Sequence, residues 1–349
     1  MRISCFKLLL LLTVFLFVNK LTHAQPRVVI TTDFPPVDVY PGGAGYGTSE
    51  KRSDTDDIQS MIRLLLYSNE FEVEGLVASS ATFANIANKQ NILDLLYLYD
   101  YVDENLQKHD NRFPTADELR SLTWEGLSGT YGRSASEIIG AGKDSEASEK
   151  IIELIDQPDT RPIWFCIWGG SCDLAQALWK IKETRKPSEA EQLMSKVRIY
   201  MIDFQDGTGQ WLLDTFPQLF VIVSRNNFKG MFNNSPGAEI QLSNLDWINR
   251  NIRKGHGLLG AFYPESGFFP ETPGVWEGDS PSFLHLVSGL RGLNDPEKPD
   301  QEGWGGQFVR VSPDKNHWMD DPKGGITVWK WRSEVQKEFA ERADWMLKQ

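Results

Sequence analysis

Short β-branched runs alternate with stretches of helical periodicity over the first two thirds of the chain, and this alternation narrows the possible folds more than any other feature. Residues 27–32, RVVITT, read as a buried strand that runs straight into Asp33. A Pro/Gly-rich stretch follows and must be loop. Residues 58–67 have helical spacing, 71–79 form a second strand, and 85–107 and 148–157 are helical. The run PIWFCIWGG is a strand with CDLAQALWKIKETR as its helix, and KVRIYMID and QLFVIVS are two further strands. Strands taking turns with helices predict an α/β fold with a mostly parallel central sheet and helices on both faces. The last third is less regular, rich in Gly, Pro and Trp, and ends in a charged helix, so it reads as a loop-rich C-terminal elaboration. No repeat or clear linker divides residues 25–349, and a single α/β domain is expected there.

Residues 1–24 have the layout of a secretory signal peptide. Arg2 and Lys7 precede an apolar run over 8–18, and Thr22-His23-Ala24 supplies small residues for cleavage. The run is short for a bilayer span, so export and removal are expected, with no membrane attachment afterwards. Loss of Arg2, Lys7 and Lys20 without any acid moves the formal charge from -12 to -15. Such a chain repels nucleic acid and suits cations and small neutral or sugar-like ligands. Cys166 and Cys172 lie in WFCIWGGSC, where a disulfide is allowed but not required. No CxxC or Cys/His cluster points to zinc. Homo-oligomerisation is left open.

Ligands of open α/β sheets bind beyond the carboxyl ends of the strands. Asp33 falls at such an end, as do Gly169 and Gly170, the DFQD run of Asp203 to Asp206, and Ser79 to Thr82. Asp54, Asp56 and Asp57 open the helix that follows the first strand. They either cap that helix or gather charge for a hard cation such as calcium or magnesium. Asp279, preceded by Glu277 and followed by Ser280-Pro281, poses the same choice at a second helix start.

These segments resemble nucleoside hydrolases, which carry a DxDxGxDD motif after the first strand. Asp33 matches the second Asp of the DxD and Asp56-Asp57 the terminal DD. The chain is more similar still to a secreted nucleoside-hydrolase-like family that includes the N-terminal domain of a bacterial cellulose-binding protein. The similarity lies in DDIQSMIRLLLYSNEFEVEGLVASSAT, RPIWFCIWGGSCDLAQALWKI, KVRIYMIDFQD, EGDSPSFLHLVSGL and GWGGQF, in that order. The resemblance implies a calcium-dependent N-glycosidase site, with calcium favoured over magnesium. Asp33, Asp57, the Cys172 carbonyl and Asp279 would hold the ion. Asp33 would also accept a proton from water, and Asp56 would bind a sugar hydroxyl.

The pattern is departed from in four places. Thr31 replaces the first Asp of the DxD, and a long insertion separates Asp33 from Asp56. Longer loops add little closure entropy, so the two halves can still converge. The histidine expected before the C-terminal aspartate is missing, so His256 is the preferred acid for the leaving group and Glu277 the second choice. No asparagine-rich substrate segment is evident. Asp206 and Asn227 stand nearest to its place, and Trp211 and Trp276 flank the acidic candidates as sugar-stacking side chains. The expected activity is metal-dependent hydrolysis of a nucleoside-like or related glycosidic bond. The alternative is a catalytically silent carbohydrate-binding protein that uses the same cleft.

Overall fold

The computed structural model describes residues 24–41, 52–53, 55–82, 85–267 and 269–348. The expected signal segment up to residue 23, most of the Pro/Gly-rich insertion (42–51) and Asp54 lie outside the described residues. Eight strands form the central sheet: β1 (Arg27–Thr32), β2 (Glu72–Ala78), β3 (Thr123–Glu125), β4 (Ile163–Ile167), β5 (Val197–Ile202), β6 (Phe220–Ser224), β7 (Phe308–Arg310) and β8 (His317–Asp320). Their spatial order is β3-β2-β1-β4-β5-β6-β8-β7. All neighbours are parallel except β8 and β7, so an antiparallel strand closes one edge.

β1 lies inside the sheet, with Ile30 in register with Leu76 on one side and Cys166 on the other. Side chains alternate across a strand, so each strand feeds two apolar layers. Val28 and Ile30 face a layer built with helices α1 (Asp56–Tyr67), α2 (Lys89–Tyr99), α6 (Ser280–Leu290) and α7 (Arg332–Asp344). Val29 faces the other, built with α3 (Glu146–Asp156), α4 (Cys172–Thr184) and α5 (Thr208–Thr215). α1 is buried along its whole length after Asp56, because the sheet, α6 and α7 enclose it.

Several expectations shift. The helical stretch over 85–107 divides into α2 and a second short helix, Asp103–His109, with a turn between them. The C-terminal third supplies strands β7 and β8, each too short to show a period of two. Cys166 and Cys172 are both free. They belong to opposite apolar layers of the sheet, which rules out a disulfide in this fold. Among the described residues no helix is long and apolar enough to cross a membrane.

His285, on α6, is fully buried between Trp164 and Tyr200, with Nε2 3.0 Å from the Pro296 carbonyl. Burial pushes its pKa down to about 4. A chain that unfolds exposes an imidazole of ordinary pKa, so the unfolded state binds the extra proton first as pH falls. The stability that His285 protects is therefore complete above about pH 6.5 and is lost between there and about pH 4, worth roughly 3 kcal/mol. Urea denaturation across this range should show a shallower acid slope in His285→Gln than in the parent chain. Equal slopes would mean that His285 titrates normally.

Candidate functional site

α1 starts at the carboxyl edge of the sheet, between the parallel strands β1 and β2 in the chain. Asp56 and Asp57 occupy the first turn of α1, behind Thr55 at the N-cap. The Thr55 hydroxyl makes no cap and donates instead to the Ser266 carbonyl at 2.5 Å. Asp57 is buried and accepts the hydroxyl of Thr32, the last residue of β1. Asp56 is half-buried and accepts the Gly278 N–H at 3.1 Å. Asp279 stands at the N-cap of α6, is buried, and likewise makes no capping bond through its side chain. Carboxylate oxygens of Asp56, Asp57 and Asp279 all lie within 4.8 Å of one another.

Asp33, also buried, borders the same cavity from the end of β1. The backbone makes room for these acids. A Cβ at Gly169 would sit 2.9 Å from Asp33 Oδ1, and one at Gly278 would sit 2.8 Å from Asp56 Oδ2.

The cavity holds about 390 Å³. Asp33, Asp56, Asp57 and Asp279 contribute its acidic side. Phe228, Phe232, Trp276 and Phe269 contribute an aromatic wall, and Ile202, Asp203, Phe204, Gln205, Trp168 and Thr82 complete the lining. The wall is continuous: Phe232 lies 5.7 Å from Phe228 and 4.8 Å from Trp276, which is 5.2 Å from Phe269. Trp276 Nε1 donates to the Thr272 carbonyl at 2.8 Å, which fixes its ring.

Among the described lining residues there is no Lys, Arg or His. At this spacing each carboxylate pair repels by about 3 kcal/mol, taking an effective dielectric of ~20. An all-oxygen donor set of converging carboxylates fits a hard divalent cation.

Other expected site residues fall elsewhere. Both oxygens of Glu277 are taken inside the core by the Arg63 guanidinium, and Tyr263 and Ser280 hydroxyls add bonds at 2.5 and 2.7 Å. It has no oxygen left to face a leaving group, so its role as second-choice acid is withdrawn. His256 places Nε2 3.0 Å from Asp344 on α7, away from the cavity lining. It is a structural link, not the proton donor. Asp206 turns away from the cavity to accept the Cys172 N–H at 3.1 Å and the Thr208 N–H and hydroxyl at 2.8 and 2.5 Å. Burial pushes its pKa up.

Cys172 opens α4 in the opposite apolar layer, and a helical carbonyl there points down the helix axis. Trp168, whose carbonyl accepts from Gln205 Nε2, borders the cavity in its place. Asn227 is buried with its amide donating to the Gln307 carbonyl at 2.7 Å, and its neighbour Phe228 lines the cavity. Trp211 sits on α5 against Phe216, behind the sheet.

The sequence places Asp203 at a strand end within DFQD without setting it apart from Asp206, and it does not point to the phenylalanines. Asp203 lies directly past β5, and it is the one non-glycine residue with positive φ, 57°, among the described residues. Its Oδ1 accepts the Phe204 N–H and the Arg225 Nε–H, each at 2.8 Å. Phe228 and Phe232 are four residues apart in NNFKGMF, a spacing visible in the sequence without revealing where the turn points.

The family model described as "Cellulose-binding Sde182, nucleoside hydrolase-like domain" matches residues 48–308. The solved structure of a nucleoside hydrolase-related protein from Saccharophagus degradans, associated with carbohydrate metabolism, is 30% identical, with a TM-score of 0.73 over 93% of this chain and 72% of that one. A plant nucleoside hydrolase is 15% identical, with a TM-score of 0.44 over 92% of this chain and 99% of its own, a distance at which no residues are equated. No curated protein matches.

Asp57→Asn removes one charge from the cluster and keeps an acceptor for Thr32. In excess chelator this variant should be more stable to urea than the parent chain, by roughly 1–3 kcal/mol. A loss of stability would show that the cluster is not under charge repulsion.

Proposed function

Because the chain belongs to the family of cellulose-binding, nucleoside hydrolase-like domains, we propose that it is an exported, calcium-dependent hydrolase of an N-glycosidic or related glycosidic bond in a small ring-bearing substrate. The observation that carries this reading is one cavity with crowded carboxylates on one side and an aromatic wall on the other. Residues 25–349 act as one unit in this reading. Asp33, Asp57 and Asp279 hold the ion, and Asp56 takes a sugar hydroxyl.

Calcium, when bound, supplies the Lewis acidity that makes water a nucleophile near neutral pH. Asp33 accepts the proton released. The fixed negative charge of the aspartates favours the positive charge that develops on the sugar ring as the bond breaks. The Phe228, Phe232 and Trp276 rings hold the departing group flat and keep water from it.

The described lining residues offer no histidine as proton donor. That composition favours leaving groups stable as anions, such as activated aryl or heteroaryl rings. It equally gives substance to a second reading, in which the cavity binds carbohydrate without cleaving it.

Incubation with a panel of nucleosides and nitrophenyl glycosides distinguishes the two. The proposed activity predicts release that is abolished by EGTA, restored by calcium, and reduced at least about a hundredfold in Asp33→Asn and Asp57→Asn. No turnover of any substrate, together with glycan binding that survives EGTA, would establish the second reading.

A further inference from the structure

We infer that the buried Arg63–Glu277 ion pair, completed by Tyr263, is a positioning device that sets the spacing of the carboxylate cluster and hence its affinity for calcium. The inference rests on the reading of that cluster as a calcium site.

Arg63 lies on α1, six residues after Asp57, and Glu277 lies two residues before Asp279. The pair therefore ties together the two chain segments that must meet for the cluster to exist, across 214 residues of sequence. Both side chains are wholly buried. Arg63 Nε and Nη2 take separate oxygens of Glu277, a two-point contact that fixes direction as well as distance. Nη2 also donates to Gln336 at 2.7 Å, and the guanidinium carbon lies 3.8 Å from the centre of the Phe339 ring. Tyr263 and Ser280 hold Glu277 from its other sides.

The contact continues along α1. Thr55, Gln59 and Arg63 recur every four residues and share one helix face. Gln59 donates to the Pro264 and Gly274 carbonyls at 2.9 and 3.0 Å and accepts the Trp276 N–H at 2.6 Å. With Thr55 on Ser266, this polar stripe fastens the stretch from 264 to 277 along the helix, and the Gly278 N–H then meets Asp56.

A buried ion pair stabilises a fold little more than apolar side chains of similar size would. What it adds is a fixed geometry, and here that geometry is the separation between Asp56-Asp57 and Asp279. Arg63, Glu277, Tyr263, Gln59 and Thr55 do not border the cavity, so they act through the residues that do, and the ion pair acts through the aspartates on either side of it.

Calorimetric titration with calcium, paired with urea denaturation in EGTA, tests this. Replacing both partners by apolar residues, Arg63→Met with Glu277→Leu, should give a folded protein of near-parental stability in EGTA whose calcium affinity is at least tenfold weaker. Tyr263→Phe keeps the ring and removes one bond to Glu277, and should weaken calcium about threefold. Unchanged affinity in a folded double variant would make the pair purely structural and overturn the inference. Should the double variant fail to fold, unchanged affinity in Tyr263→Phe overturns it just as well. A parent chain that binds no calcium would overturn the reading of the cluster and this inference with it.

Discussion

The gathering of buried aspartates from distant segments at one rim of a parallel sheet is the constraint around which this molecule is organised. Burial makes the problem worse, because carboxylates out of water are both costly and poorly screened from one another. The fold meets it by bracing the surrounding backbone. Thr32 holds Asp57, the Gly278 N–H holds Asp56, and the polar stripe of α1 fastens the segment that bears Asp279. A helix that is buried on every side could have been wholly apolar. Instead α1 spends Thr55, Gln59 and Arg63 on contacts with one distant stretch of chain.

The aromatic side of the cavity is braced from the C-terminal third. Arg332, at the start of α7, donates to the Gly230 and Phe232 carbonyls at 2.8 and 2.9 Å and to the Ser243 hydroxyl at 3.0 Å. Asp320, at the end of β8, accepts the N–H groups of Arg225, Asn226 and Asn227. Together they fix the loop after β6 that presents Phe228 and Phe232. The irregular last third is thus the frame for one wall of the cavity, and its short strands serve to deliver Asp320.

Much of this was legible in the sequence. The β-branched runs and helical spacings gave the α/β class, the parallel sheet and the rim on which Asp33, Asp56, Asp57 and Asp279 stand. Those signals are local, since burial leaves its mark in the periodicity of each element. The errors share one cause. A strand end locates a region, not the residue within it: Asp203 and Asp206 share one strand end, and Asp203, in a left-handed conformation, is the one that borders the cavity. Glu277 and His256 look like available acids in the sequence because their partners, Arg63 and Asp344, lie far away in the chain. Cys172 was a residue near the right strand, but on the layer behind the sheet.

The sequence by itself determined the fold class, the carboxyl-edge rim and the acidic character of what stands there, because strand and helix periods and strand-end positions are properties of short segments. The tertiary structure alone decided which acids converge, which are consumed in ion pairs and caps, and which aromatic rings face them. Those outcomes depend on contacts between segments hundreds of residues apart, and the physics that selects them is complementary burial of charge and hydrogen-bonding groups, which no local pattern encodes.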